Sequence, residues 1–406
     1  MAPDDLDAPV TDLATIVVAG ASLAGLNAAR TLRREGFDGE LIVVGDEDEP
    51  PYDRPPLSKQ VLAGAWEADR TALAVAADDD LRIDWRLGQA VTGLDVGTRR
   101  LRLADETSVA FDGLVIATGA RPRTLPGTAE MAGVHVLRSR SDCLALRADL
   151  EAGPGRVAVV GAGFIGAEVA ATCRGRGLAV SLVEPLPAPL GRVLGDAMGA
   201  AMASLHRDEG VDVRLGVGVA AVEGGDRVDR VRLDDGSVIE VDVVVIGIGV
   251  APCTEWLAGS GVGVDDGVIA DATCRVAPGI VAAGDVARWH HLGYGRNMRV
   301  EHWDHAIAQG AHAASTLLAG DGARPFTPVP WFWSDQYDRK IQLTGRTEGA
   351  EEVRVVEGSL ADRRFVALYR RGQEVVAALG MNRPAPLARW RTRLAEGVAW
   401  DEGIVG

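Results

Sequence analysis

Two glycine-spaced turns, 141 residues apart, hold the residues of this chain best suited to chemistry. Gly20-Ala21-Ser22-Leu23-Ala24-Gly25 and Gly161-Ala162-Gly163-Phe164-Ile165-Gly166 each separate an apolar, β-branched run from a helical pattern. Small residues let such a turn fold sharply, approach a pyrophosphate and pack its helix against the sheet. The helix N-terminus then offers N–H groups and the positive end of its dipole to the anion. Ser22 stands where the second copy has Gly163, so one hydroxymethyl group must be accommodated there. Each unit ends on an acid: Asp46 lies 21 residues after Gly25 and Glu184 lies 18 after Gly166. Either is placed to accept hydrogen bonds from a ribose diol. Glu184 would also repel a 2′-phosphate, which favours NADH over NADPH, although Arg192 nearby is a residue able to accept that phosphate. Two dinucleotide units in one chain suggest two dinucleotides, and hydride transfer from a nicotinamide to a flavin uses both.

Other stretches read as supports for the same chemistry. The strand expected before Ala117-Thr118-Gly119 runs into a turn of small residues that can pass close to a cofactor. Gly247-Ile248-Gly249 leaves space for a nicotinamide after the apolar run Val243–Ile246. Gly279–Ala287 reads as an apolar strand followed by Gly284-Asp285 at the start of a helix, with Asp285 placed for a ribityl hydroxyl and the helix terminus for the pyrophosphate. A further helix is expected from Glu301 to Ala314, with Trp303 in its first turn and its dipole stabilising negative charge on a reduced ring. His302 and His305 lie at i, i+3, but no cysteine is near and no metal site is expected. In Pro50–Lys59, four prolines force an extended path and Ser58 is expected to cap a short helix carrying Lys59.

The bulk numbers narrow the class. A chain of 406 residues has room for two or three domains. A formal charge of −16 argues against nucleic acid and against an anionic membrane surface. The first twelve residues carry acids and no base, so no secretory signal is expected. Cys143, Cys173, Cys253 and Cys274 are widely separated, with no CxxC or CxxxxC pair, which points to a reducing cytoplasmic setting and away from a redox disulfide. Residues 286–406 hold 16 Arg and Lys against 14 Asp and Glu, or +2, so the first 285 residues carry −18.

The stretch Pro51-Tyr52-Asp53-Arg54-Pro55-Pro56-Leu57-Ser58-Lys59 resembles the PYxRPPLSK segment of the FAD-dependent NADH:ferredoxin reductases. Pro330-Trp331-Phe332-Trp333-Ser334-Asp335-Gln336 resembles their PWFWSDQ segment. The resemblance covers almost the whole chain. It implies that Lys59 sits near the flavin and pairs with Glu168, and that Arg54, Val91, Arg138 and Trp333 contact FAD. It implies FAD and NAD(H) as cofactors, and electron delivery to an iron–sulfur ferredoxin serving a monooxygenase or ring-hydroxylating dioxygenase. An acidic ferredoxin would dock near the arginine-rich C-terminal part (Arg389, Arg391, Arg393). A flavin-binding redox sensor like apoptosis-inducing factor, or a quinone-type reductase, are the rival readings.

The expected architecture is α/β: two glutathione-reductase-like Rossmann domains and a C-terminal α+β domain. Residues 1–118 and 247–323 are expected to form a discontinuous FAD domain, 119–246 an NAD domain and 324–406 the C-terminal domain. The protein is expected to be a monomer or homodimer.

Overall fold

The computed structural model describes residues 13–73 and 76–405. The chain divides into two compact units. The first holds the residues up to Asp53, Ala72–Arg121 and Ala251–Pro328; the second holds Arg54–Thr71, Pro122–Val250 and Val329–Gly406. Arg54–Thr71, expected with the FAD domain, therefore belongs to the second unit.

In the first unit, Ile16, Val17, Val18 and Ala19 are all fully buried. A strand covered on both faces is continuously apolar and takes a central place in a parallel sheet. Thr15–Ala19 accordingly lies between Gly113–Ile116 and Glu40–Val44, parallel to both. The six-stranded order is Arg275–Ala277, Ile280–Ala282, Gly113–Ile116, Thr15–Ala19, Glu40–Val44, Ile83–Arg86. Helix Leu23–Arg34 packs a face of small side chains, Ala24, Gly25, Ala28 and Ala29, beside Leu32, and ends on Arg33 and Arg34 at its negative pole. Helix Trp303–Ala319 starts two residues later and ends five residues later than the expected 301–314. Its Gly310 permits close packing: a Cβ there would lie 2.3 Å from the Ala24 carbonyl oxygen.

One expected element is absent. After Gly284-Asp285 the chain makes a single 3-10 turn, Gly284–Val286, and then enters strand Ala287–His291. Its alternating burial suits a strand, and it pairs with Val268–Ala270 and Arg296–Met298. Asp285 thus starts no helix long enough to present a dipole.

The second unit repeats the scheme. Arg156–Val160 lies between Ala179–Glu184 and Val243–Ile246, with Asp212–Leu215 and Val134–His135 outermost. Residues 211–246 read in the sequence as hairpins, but Asp212–Leu215 instead extends the parallel sheet. The antiparallel strands Val219–Gly224, Val228–Leu233 and Val238–Glu240 follow the expected hairpin pattern. A five-stranded antiparallel sheet runs in the order Trp331–Gln336, Arg339–Gly345, Glu374–Met381, Arg364–Arg371, Glu352–Ser359. Helix Gly191–Asp208 packs Leu194, Met198 and Met202 against its Phe332, Ile341, Leu343 and Phe365. The basic helix Pro384–Glu396 packs Leu387 and Trp390 against Val366, Leu368 and Ala378 of the same sheet. Among the described residues no helix is long and apolar enough to cross a membrane.

Candidate active site

Backbone geometry makes each glycine turn a cradle. In the first unit Gly20 donates to the Val44 carbonyl at 2.8 Å and Ala117 donates to that of Ala19 at 2.7 Å. Gly20 has φ +125°, and a Cβ on it would lie 2.0 Å from the Ala117 oxygen; one on Gly25 would lie 1.8 Å from the Gly20 oxygen. In the second unit Gly161 donates to Val183 at 2.8 Å and Gly247 to Val160 at 2.7 Å. Cβ atoms on Gly161 and Gly166 would lie 2.4 Å and 1.9 Å from the oxygens of Gly247 and Gly161. The outer glycines are therefore required by the protein itself. The middle position is not: a Cβ on Gly163 would meet nothing within 4 Å. That open space beside the backbone is what a dinucleotide phosphate needs, and the exposed apolar Ile165 and Ile248 lie in the same unit. Gly249 adopts φ +97° at the end of that segment.

Ser22 occupies the middle place in the first cradle. Its extended backbone (φ −110°, ψ −159°) caps helix Leu23–Arg34, yet its hydroxyl makes no capping bond. The first-turn amides of Leu23, Ala24 and Gly25 have no intrahelical carbonyl to reach, a normal anion-receptive arrangement. Thr118 donates to the Cys253 carbonyl at 2.9 Å, and Gly119 has φ +69°. Val91 starts strand Val91–Asp95. Trp303 Nε1 donates to Asp53 Oδ1 at 2.6 Å.

The two acids are not equivalent. Val44 and Val183 accept the same turn bond, so Glu184 corresponds to Gly45, and Asp46 lies one residue later. Gly45 leaves no room for a side chain, since a Cβ there would lie 2.5 Å from that of Ala21. Glu184 is 8% exposed; its Oε2 accepts the Ala162 N–H at 2.7 Å and its Oε1 that of Leu186 at 3.0 Å. Asp46 is exposed and accepts the N–H of its neighbour Glu47 at 3.1 Å. Arg192 is exposed at the start of helix Gly191–Asp208.

A buried polar cluster in the second unit joins Lys59 and Glu168. Lys59 Nζ lies 2.5 Å from Glu168 Oε2, and Glu168 is 3% exposed. Ser58 Oγ donates to the same oxygen at 2.5 Å, while Ser334 Oγ donates to Oε1 at 2.8 Å. Gln336 Nε2 donates in turn to Ser334 Oγ at 3.1 Å. A buried carboxylate is tolerable only when paired and hydrogen-bonded, and both conditions are met. Ser58 does not cap a helix as expected: Pro55–Ser58 is itself a 3-10 turn with Lys59 at its C-cap, so its hydroxyl is turned to Glu168. Ser334 went unnoticed in the sequence because alternation alone does not tell which strand face meets a carboxylate. Arg54 Nη1 donates to the Arg138 carbonyl at 2.7 Å, and Arg138 N–H to Asp142 Oδ2 at 3.0 Å. Trp333 stacks on Trp331 with ring centroids 5.4 Å apart. Arg54, Lys59, Arg138 and Trp333 lie in the second unit; Gly20–Gly25, Asp46, Val91, Ala117–Gly119, Gly284, Asp285 and Trp303 lie in the first.

The four cysteines are free thiols. Burial pushes Cys143 up to about 11 and Cys173 and Cys274 to about 12, so these three are poor thiolates.

A repeated parallel βαβ scaffold with two phosphate cradles defines a dinucleotide-dependent oxidoreductase. The chain belongs to the pyridine nucleotide-disulphide oxidoreductase family, whose model matches residues 14–310, and residues 331–405 match the reductase C-terminal family. It is 38% identical over 376 residues to rhodocoxin reductase of Rhodococcus erythropolis, covering 91% of this chain and 87% of that one. It is 39% identical over 393 residues to the ferredoxin–NAD(+) reductase component of the anthranilate 1,2-dioxygenase system of Burkholderia cepacia, covering 95% of each. Among solved structures, the covalent putidaredoxin reductase–putidaredoxin complex matches with TM-score 0.90 and 33% identity, over 95% of this chain and 94% of that one.

Proposed function

We propose that this chain is an FAD-dependent NADH:ferredoxin reductase, supplying electrons to an iron–sulfur protein that serves a monooxygenase or ring-hydroxylating dioxygenase. The observation that carries it is the pair of cradles, each with outer glycines fixed by backbone contact; the middle position of the second, Gly163, opens on free space, and the hydroxyl of Ser22 in the first makes no capping bond. FAD is assigned to the first cradle, with Gly20–Gly25, Asp46, Val91, Ala117–Gly119, Gly284, Asp285 and Trp303. NADH is assigned to the second, with Gly161, Gly163, Ile165, Gly166, Glu184, Arg192 and Gly247–Gly249. When bound, FAD would supply the redox chemistry there, acceptance of a hydride from NADH and release of single electrons to the iron–sulfur partner.

The chain's own residues bind and orient. The turn amides hold phosphates without needing a lysine. Glu184 Oε1 and Oε2 are aimed by the Leu186 and Ala162 amides, which fixes its carboxylate as a hydrogen-bond acceptor for ribose hydroxyls. Lys59 and Glu168 supply a fixed, neutralised charge pair, held on three sides by Ser58, Ser334 and the Pro55 carbonyl, which accepts from Lys59 Nζ at 3.0 Å. The family resemblance extends flavin contact to Arg54, Lys59, Arg138 and Trp333. The proposed domain division is 1–118 with 247–323 for FAD, 119–246 for NAD and 324–406 for the C-terminal domain. A cytoplasmic location suits four unpaired cysteines.

The test is a screen of purified [2Fe–2S] ferredoxins, with NADH as donor and cytochrome c reduction as readout. Strong stimulation by at least one ferredoxin is expected. Turnover with quinones but with no ferredoxin would overturn the reading.

A further inference from the structure

Helix Trp303–Ala319 touches the first cradle at two neighbouring residues. Gly310 lies against the Ala24 carbonyl in the first turn of helix Leu23–Arg34. Gln309, one residue earlier and fully buried, reaches the other half of the cradle. Its Oε1 accepts the Gly284 N–H at 2.9 Å and lies 3.1 Å from His305 Nε2. Its Nε2 faces the Cys274 sulfur at 3.6 Å.

The polarity of this cluster is fixed by its members. A backbone N–H only donates, so the Gln309 atom facing Gly284 is its carbonyl oxygen. His305 is packed between Trp289 and Phe326, with centroids 4.7 and 5.5 Å away. Burial lowers its pKa to about 3, so it is neutral, and the carbonyl facing Nε2 places its proton there. One side-chain oxygen therefore receives two N–H donors with no solvent to replace it. Gly284 has φ +77°, a conformation other residues avoid, and a Cβ there would lie 2.9 Å from that of Ala24. Its N–H is committed to Gln309, so the direction in which the Gly284–Val286 turn leaves strand Ile280–Ala282 is set from the helix.

We infer that Gln309 is a positioning residue for the flavin nucleotide: by holding the Gly284 amide it fixes Asp285 against the cradle formed by Ser22–Gly25. This rests on the assignment of FAD to that cradle. It requires no contact between Gln309 and the nucleotide.

The experiment measures FAD release from the full-length holoprotein on dilution, by recovery of free-flavin fluorescence, alongside melting of apo and holo forms. Gln309→Leu keeps a branched side chain, one bond shorter, and removes the acceptor, and release should quicken at least about tenfold. Gln309→Glu, held protonated by burial, restores a carbonyl oxygen at the same place and should stay within about threefold of the parent. His305→Phe keeps the ring contacts and removes one donor; release should quicken by about threefold, and this variant decides the matter if Gln309→Leu does not fold. Parental release rates in Gln309→Leu, or in His305→Phe where that variant decides, would overturn the inference. So would equal acceleration in Gln309→Leu and Gln309→Glu, or equal melting losses of apo and holo forms with unchanged release. If the parent protein takes up no FAD, the functional assignment itself fails and this inference falls with it.

Discussion

The two cradles share a backbone and differ in how they hold their acid. In both, the first glycine of the turn donates to the valine at the end of the neighbouring strand, Val44 or Val183, at 2.8 Å. In the second, the next residue is Glu184, whose carboxylate is tied to the turn through the Ala162 amide. In the first, the next residue is Gly45, jammed against Ala21, and the acid comes one position later as the exposed Asp46. Glu184 is the last residue of its strand, whereas Asp46 lies two residues past the end of strand Glu40–Val44, so the two acids leave their sheets at different places. The outer glycines are demanded by the fold, whereas the middle position and the acid are where the copies have diverged. Identity at the backbone with divergence at these positions is what one scaffold would need to serve two different nucleotides, as proposed.

The sharpest break in that comparison pits two glycines of one turn against each other. Gly166→Ala forces a Cβ to within 1.9 Å of the Gly161 oxygen and is expected to cost about 3 kcal/mol or more of stability. Gly163→Ala meets open space and should melt within about 0.5 kcal/mol of the parent while weakening NADH binding. Calorimetry with NADH titration separates them; equal melting of the two variants would refute the division of roles.

Next in size is the Lys59–Glu168 pair in the second unit. Lys59→Met leaves Glu168 buried with two hydroxyls and no cation, at a cost of about 3 kcal/mol. The double variant Lys59→Met/Glu168→Gln should recover part of that loss in urea unfolding. A double variant no more stable than the single would show that the buried charge is not the cause.

Removing the tied acid is a milder change. Glu184→Ala deletes a charged acceptor worth about 1.5–3 kcal/mol and should erode NADH-over-NADPH preference by about tenfold or more. Asp46→Ala should leave that preference untouched. Steady-state kcat/KM with each nucleotide decides, and unchanged discrimination in Glu184→Ala would remove its assigned role.

The smallest effect is a pH slope contributed by one buried histidine in each unit. Burial lowers His206 to about 4 and His305 to about 3 from the usual 6.5. The unfolded chain therefore binds more protons than the folded one below pH 6.5. Stability is fully present above that pH and falls as pH drops towards 4, by about 1 kcal/mol per unit per histidine. His206→Gln, which leaves Tyr337 OH a partner, should flatten the slope of the second unit in melting between pH 6.5 and 4. An unchanged slope would show that His206 is not its source.

Much of this was readable in the sequence because the requirements are local. Gly20, Gly25, Gly161 and Gly166 are needed by contacts within their own βαβ units, and apolar runs such as Ile16–Ala19 give the parallel sheets directly. The Lys59–Glu168 pair was reached only through the resemblance to a family, since 109 residues separate its members. Gln309 and Ser334 were missed because their partners, Gly284 and Glu168, are set by tertiary packing that no spacing encodes. The helix expected after Asp285 failed for a related reason. Ala287–His291 is recruited into a sheet by Val268–Ala270 and Arg296–Met298, and pairing overrides a local capping signal.

Anaerobic stopped-flow mixing of the FAD-loaded protein with NADH asks whether both cradles serve one reaction. Rapid bleaching of the flavin absorbance is expected, much slower with NADPH, with the colour restored on adding an oxidised ferredoxin. A protein that retains FAD but shows no bleaching by NADH would contradict the assignment of the second cradle and with it the proposed reaction.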